Sequence, residues 1–108
     1  MPSTLSARTA QEVRDRIMEI PGVAGLYGGH YGEIALLFPR EKVLGMRNVG
    51  LDKESGLEIH LVVSVRAARS IAEIANDVRR VAQEVTGMQP VNIIVADAVL
   101  GDDTAKET

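Results

Sequence analysis

Cysteine and tryptophan are missing from this 108-residue chain, and aromatic residues make up only 3% of it. The first absence removes disulfides, thiolate nucleophiles and cysteine-based metal sites together. It fits a reducing compartment such as the cytoplasm. The second leaves Val, Ile, Leu and Ala to build the core, and few rings on which bases stack. Positive charge is not in excess either. The formal net charge of −3 makes no field that gathers phosphate, so nucleic acid is not the expected partner. No apolar run approaches the ~20 residues of a membrane span. No basic segment followed by an apolar core opens the chain, so no secretory signal is read there. Direct membrane insertion is therefore not expected.

What the chain does have is a strand–helix–strand unit from Leu57 to Leu100. Leu57, Ile59, Leu61, Val63 and Val65 alternate with Glu58, His60, Val62 and Ser64, the period of a strand with one buried face. Ser70 then offers an N-cap hydroxyl and Glu73 the carboxylate of a capping box. Ile71, Ile74, Ala75, Val78, Val81, Ala82 and Val85 follow at helical spacing. Gly87 stands where a left-handed C-cap belongs, and Pro90 blocks continuation. A second strand runs from Val91 to Val99. Its Val, Ile and Ala residues predict cover on much of both faces. A helix between two strands favours a parallel pair with a right-handed crossover.

Upstream, Thr9 and Glu12 suggest a capping box for a first helix with a stripe of Ala10, Val13, Ile17 and Ile20, stopped at Pro21-Gly22. Val23–Tyr27 and Glu33–Phe38 read as strands around the glycine turn Gly28–Gly32. Arg40, Glu41 and Lys42 read as an exposed turn. Val43–Val49 reads as a weaker strand interrupted by Gly45, and residues 50–56 as a polar hairpin connection. The expected architecture is α+β: a two-layer domain with a mixed sheet of four to five strands, two helices packed on one face, and a C-terminal β-α-β unit. One domain spans 1–108, with an ordered core at about 9–100 and loose tails at 1–8 and 101–108.

Candidates for chemistry each meet a plainer alternative. The glycines from Gly25 to Gly32 invite a phosphate-loop reading, but such a loop feeds a helix N-terminus, and this one feeds a strand. It keeps a role as a binding lip, because backbone without side chains approaches a ligand closely. His60 and Ser64 lie about 13 Å apart along a strand, too far to act as base and nucleophile together. Glu58 and His60 share a face, but two ligands without a third make a poor metal site. Arg66, Arg69, Arg79 and Arg80 surround the second helix, and Arg80 has Asp77 and Glu84 as ready partners. No catalytic set, metal site or cofactor site is read. The surface singled out for contact is the outward side of the second helix: Asn76, Arg79, Arg80 and Gln83.

Two stretches carry a resemblance. One runs from Pro21-Gly22-Val23 through Gly29-His30-Tyr31-Gly32-Glu33-Ile34-Ala35 to Pro39. The other is Val85-Thr86-Gly87 followed by Pro90-Val91-Asn92-Ile93-Ile94-Val95 and Asp97. Together they resemble the small actinobacterial members of the alkaline shock protein family, also called the general-stress or envelope stress response family, over about residues 10 to 100. The resemblance implies a cytoplasmic, non-enzymatic scaffold that supports the cell envelope under stress. It also implies action at the membrane through a separate membrane-anchored protein partner, and self-association into a homo-oligomer. It brings no catalytic motif. A second reading stands beside it: a small ligand- or nucleic-acid-binding module using the Gly28–Gly32 turn and the helix arginines.

Overall fold

A computed structural model describes residues 5–49, 56–65 and 69–100. The elements run α1 (Ala7–Met18), β1 (Val23–Leu26), β2 (Ala35–Phe38), β3 (Glu41–Leu44), β4 (Met46–Val49), β5 (Gly56–Ser64), α2 (Ile71–Thr86) and β6 (Val91–Val99). The architecture is α+β, as the residue pattern predicts, with four strands in one sheet and two in another. The expected connection at 50–56 lies, apart from Gly56, outside the described residues, as do Arg66 and the tails 1–4 and 101–108.

Strand β5 is the centre of the larger sheet. Along one edge it bonds β6 in parallel, from Leu57↔Val91 to Ser64↔Val99. Its other edge is shared in tandem by two antiparallel strands, β4 on Gly56–Ile59 and β1 on Leu61–Val63. The alternation read in the sequence sets its two faces. Leu57, Ile59, Leu61 and Val63 are fully enclosed and lie in one core cluster with Ala10, Val13 and Ile17 of α1 and Ile74, Val78 and Ala82 of α2. Glu58, His60, Val62 and Ser64 take the opposite face.

Both helices begin on hydroxyl caps. In α2, the Ser70 Oγ accepts from the Glu73 N–H at 3.1 Å and Glu73 Oε1 accepts from the Ser70 N–H at 3.2 Å. Gly87 closes the helix at φ 71° and donates its N–H to the Gln83 carbonyl at 2.8 Å. Thr86 assists there, giving its Oγ1–H to the Ala82 carbonyl and receiving the Met88 N–H. In α1 the cap is Ser6 rather than Thr9: the Thr9 N–H donates to Ser6 Oγ at 3.1 Å. The hydroxyls sit three residues apart, and burial decides between them. Leu5 and Ala10 are both buried, at the two positions of a hydrophobic staple around Ser6. The first helix therefore starts before residue 9, and Leu5 belongs to the core.

Two other expectations change. Glu41 and Lys42 are strand residues, not turn residues. β2 and β3 pair as far as Phe38↔Glu41, leaving Pro39-Arg40 as a two-residue connection. Their polarity reflects an exposed strand edge and not a loop. β6 is not covered on both faces either. Among the described residues it is an outer strand bonded to β5 alone, and residues 94–98 are exposed along it. Its apolar composition misled because a parallel strand is normally interior, whereas here the sheet ends at β6.

β3 and β4 are two halves of one segment bent at Gly45. The bend lets β3 join β2 while β4 joins β5. Gly45 has φ 94°, and a Cβ added there would stand 2.5 Å from the Leu26 Cβ. Strain and collision thus act together, and Gly45→Ala is expected to destabilise the fold by about 2–4 kcal/mol in urea unfolding. A loss below about 0.5 kcal/mol, the ordinary surface range, would refute the corner as a constraint.

Candidate functional site

Three places gather the polar groups singled out in the sequence. The first is on the face of the larger sheet turned away from the helices. Glu58 Oε1 receives Arg47 Nε at 2.7 Å from the neighbouring strand and His60 Nε2 at 2.9 Å from two residues along its own. An ionised carboxylate only accepts, so the His60 ring nitrogen is the donor. The His60 hydrogen bond first, with Arg47 adding to it, holds the Glu58 carboxyl below its ordinary pKa against the opposing effect of burial. The trio answers its own charges, as a structural cluster does. No group of three or more His, Cys, Asp or Glu able to hold a metal occurs among the described residues.

The second is the glycine turn. The Glu33 carboxylate folds back over it and accepts the Tyr31 N–H at 3.0 Å. Backbone N–H groups, its own first and then that of Tyr31, lower the Glu33 pKa. The turn does form an anion-holding nest, and the anion is its own side chain. That arrangement was hidden in the sequence because Glu33 reads as the first residue of a strand. The turn also lies over β3: a Cβ on Gly28 would meet Leu44, and one on Gly32 would stand 3.3 Å from Lys42 Nζ. Beside it runs an open groove of about 430 Å³ lined by Arg14, Met18, Gly25, Leu26, Lys42 and Leu44. The groove was not read in the sequence, because its walls come from α1, β1 and β3.

The third is the outward flank of α2 and the adjoining strand β6. Asn76, Arg79, Arg80 and Gln83 follow helical spacing on that flank. Arg79 is tied down. Its Nη1 donates to Asn76 Oδ1 at 2.7 Å and its Nε to the Val91 carbonyl of β6 at 3.4 Å. Arg80 pairs with Asp77 at 2.7 Å, as its spacing suggests. Asp77 also binds Arg69, and the two guanidiniums, Arg69 foremost, keep its carboxyl ionised below its usual range. Gln83 is half-buried. The structure separates this flank from the glycine turn, since the β6 side of β5 carries one and the β1 and β4 side the other. A single small ligand held by both does not fit the geometry.

No family model, curated protein or solved structure matches this chain. The weight of a functional reading therefore falls on the three places themselves and on the residues of the resemblance.

The Glu58 cluster gives a pH test. Its folded-state pKa is depressed, so its ionised form adds stability that is present above the unfolded value, near 4.5, and is lost as pH falls through the lower folded one. In urea unfolding, the native chain should exceed Glu58→Gln by a margin that is widest above about pH 5 and narrows steadily as the solution is made more acidic. A margin independent of pH would contradict the pairing.

Proposed function

We propose that this chain is a non-enzymatic interaction module of the envelope stress response, cytoplasmic and brought to the membrane by a membrane-anchored protein partner. The observation that carries the reading is the α2 and β6 margin. There a nine-residue, largely apolar strand ends the sheet, beside a helix flank whose arginines are already ordered by Asn76 and Asp77. Fixed side chains lose less freedom on binding. An uncovered apolar strand edge is a surface that proteins use to bind other proteins or else protect against binding. The resemblance of Pro21–Pro39 and Val85–Asp97 to the alkaline shock family supplies the physiological setting. No described helix is long and apolar enough to cross a membrane, and the reading accordingly gives the anchor to another protein.

In envelope-stressed cells of the native host, the chain is expected to sediment with membranes and to co-purify with a protein bearing a transmembrane helix. Arg79→Ala combined with Arg80→Glu should reduce that co-purification about tenfold while shifting stability by no more than about 1 kcal/mol. Uniform cytosolic distribution under stress, with no co-purifying membrane protein, overturns the reading.

The alternative of a ligand-binding module is supported by the groove. Its lining combines apolar Met18, Leu26 and Leu44 with two cations, Arg14 and Lys42. Arg14 is engaged with Asp15 at 3.3 Å. Under this reading a nucleotide or RNA titrated at low salt binds and is released by salt, and Lys42→Glu abolishes the binding. A flat titration removes the alternative.

A further inference from the structure

We propose that the open edge of β6 pairs with β6 of a second copy of this chain, antiparallel about a twofold axis through Ile94, making one continuous eight-stranded sheet. This rests on the reading of the β6 and α2 margin as a contact surface, and names what covers its strand edge.

The argument starts from where each backbone group of β6 points. Leu57 donates to the Pro90 carbonyl and Val65 to the Val99 carbonyl, so Pro90 and Val99 face β5. In a parallel ladder the residues between alternate. Asn92 and Ile94 face β5, and Val91, Ile93 and Val95 present their N–H and C=O groups outward. The register shifts after Leu61, between Val95 and Asp97, and Ala98 is then the next outward residue. At each end of this edge one outward group is already bound from within. Arg79 Nε donates to the Val91 carbonyl at 3.4 Å. The Ala98 N–H donates to Asp97 Oδ1 at 2.8 Å. Between them lies a central window, Ile93 and Val95, each with an outward donor and acceptor that no bond among the described residues uses.

That window is complementary to itself. In antiparallel pairing, two opposed residues of a hydrogen-bonded pair exchange both of their bonds. A twofold axis at Ile94 sets Ile93 against Val95 of the second copy and Val95 against its Ile93. All four groups of the window in each copy are thereby used, and no capped group is forced into the ladder. Ile94 falls on the axis, facing its own copy in the close, non-hydrogen-bonded type of pair. It is 38% exposed, as is Val95, so the pairing removes apolar surface from water on both faces of the sheet. Charge agrees as well. The same register brings the Val91 end, where the Arg79 guanidinium sits, towards the Asp97–Ala98 end of the second copy, and symmetry repeats this at the other end. No Lys or Pro within Val91–Val99 blunts the strand, whereas β1, β2 and β4 are each only four residues long. Short edges are protected by their shortness. A twofold contact of this type is isologous and closes on itself.

The chain has no native cysteine, which allows a direct test of register. Ile94→Cys places a thiol on the axis next to its own copy, within disulfide reach. Asn92→Cys places the two thiols about 13 Å apart. On oxidation, Ile94→Cys is expected to give a covalent dimer at least about fivefold more abundant than Asn92→Cys gives. In sedimentation across a concentration series, the unmodified chain is expected to pass from one to two copies. Val95→Pro removes an outward N–H that no bond among the described residues uses, and Ile94→Lys sets two like charges on the axis. Each should raise the dimer dissociation constant at least about tenfold, with the circular dichroism melt reporting whether the monomer stays folded. Equal cross-linking at the two positions overturns the pairing, as does a dimer indifferent to both edge variants. A mass of one copy at all concentrations up to about 1 mM, with the membrane-anchored protein still captured, overturns it and leaves the contact reading of the α2 flank standing.

Discussion

Strand β5 is bonded along both edges and enclosed by both helices, and nearly every other element is placed by it. Four of its side chains, Leu57, Ile59, Leu61 and Val63, lie without solvent contact on the helix side. At about 1.5–3 kcal/mol each, their burial outweighs any of the surface ion pairs, which contribute about 0–1 kcal/mol. The helices lie on that face because their own apolar stripes, Ala10-Val13-Ile17 and Ile74-Val78-Ala82, share one core cluster with it. The two helices also pack directly on each other; the Arg16–Glu84 pair between them, at 3.9 Å, is long and exposed.

Much of this frame could be read from residues alone, and the reasons are local. The alternation of β5 and the capping box and glycine stop of α2 depend on neighbours within a few positions, so the chain states them directly. The fold class followed from those elements. What stayed hidden depended on distant contacts. Whether Ser6 or Thr9 caps α1 turns on the burial of Leu5 beneath the sheet. Whether Glu41 and Lys42 form a turn or a strand turns on pairing with β2. Whether β6 is interior or marginal turns on strand order, which composition does not encode.

The candidate surfaces divide in the same manner. Arg80 and Asp77 could be paired from their spacing, and Glu58 with His60 from the period of a strand. Arg79 reaching the Val91 carbonyl could not, because it joins a helix to the strand that follows it through twelve residues of chain. Nor could Glu33 be seen to fill the glycine turn, since that depends on two φ values above zero, at Gly29 and Gly32. The turn that most resembles a phosphate loop in the sequence is thus the one already occupied from within.

The corner at Gly45 has a mechanical meaning. Its N–H is held by the Ile34 carbonyl and its C=O by the His60 N–H, each at 2.8 Å. A glycine clamped on both sides is a weld and not a hinge. The root of the β2–β3 arm is therefore tied to β5, and with it the Leu44 wall of the groove. A ligand entering there meets a wall whose nearest backbone is already bonded to the central strand.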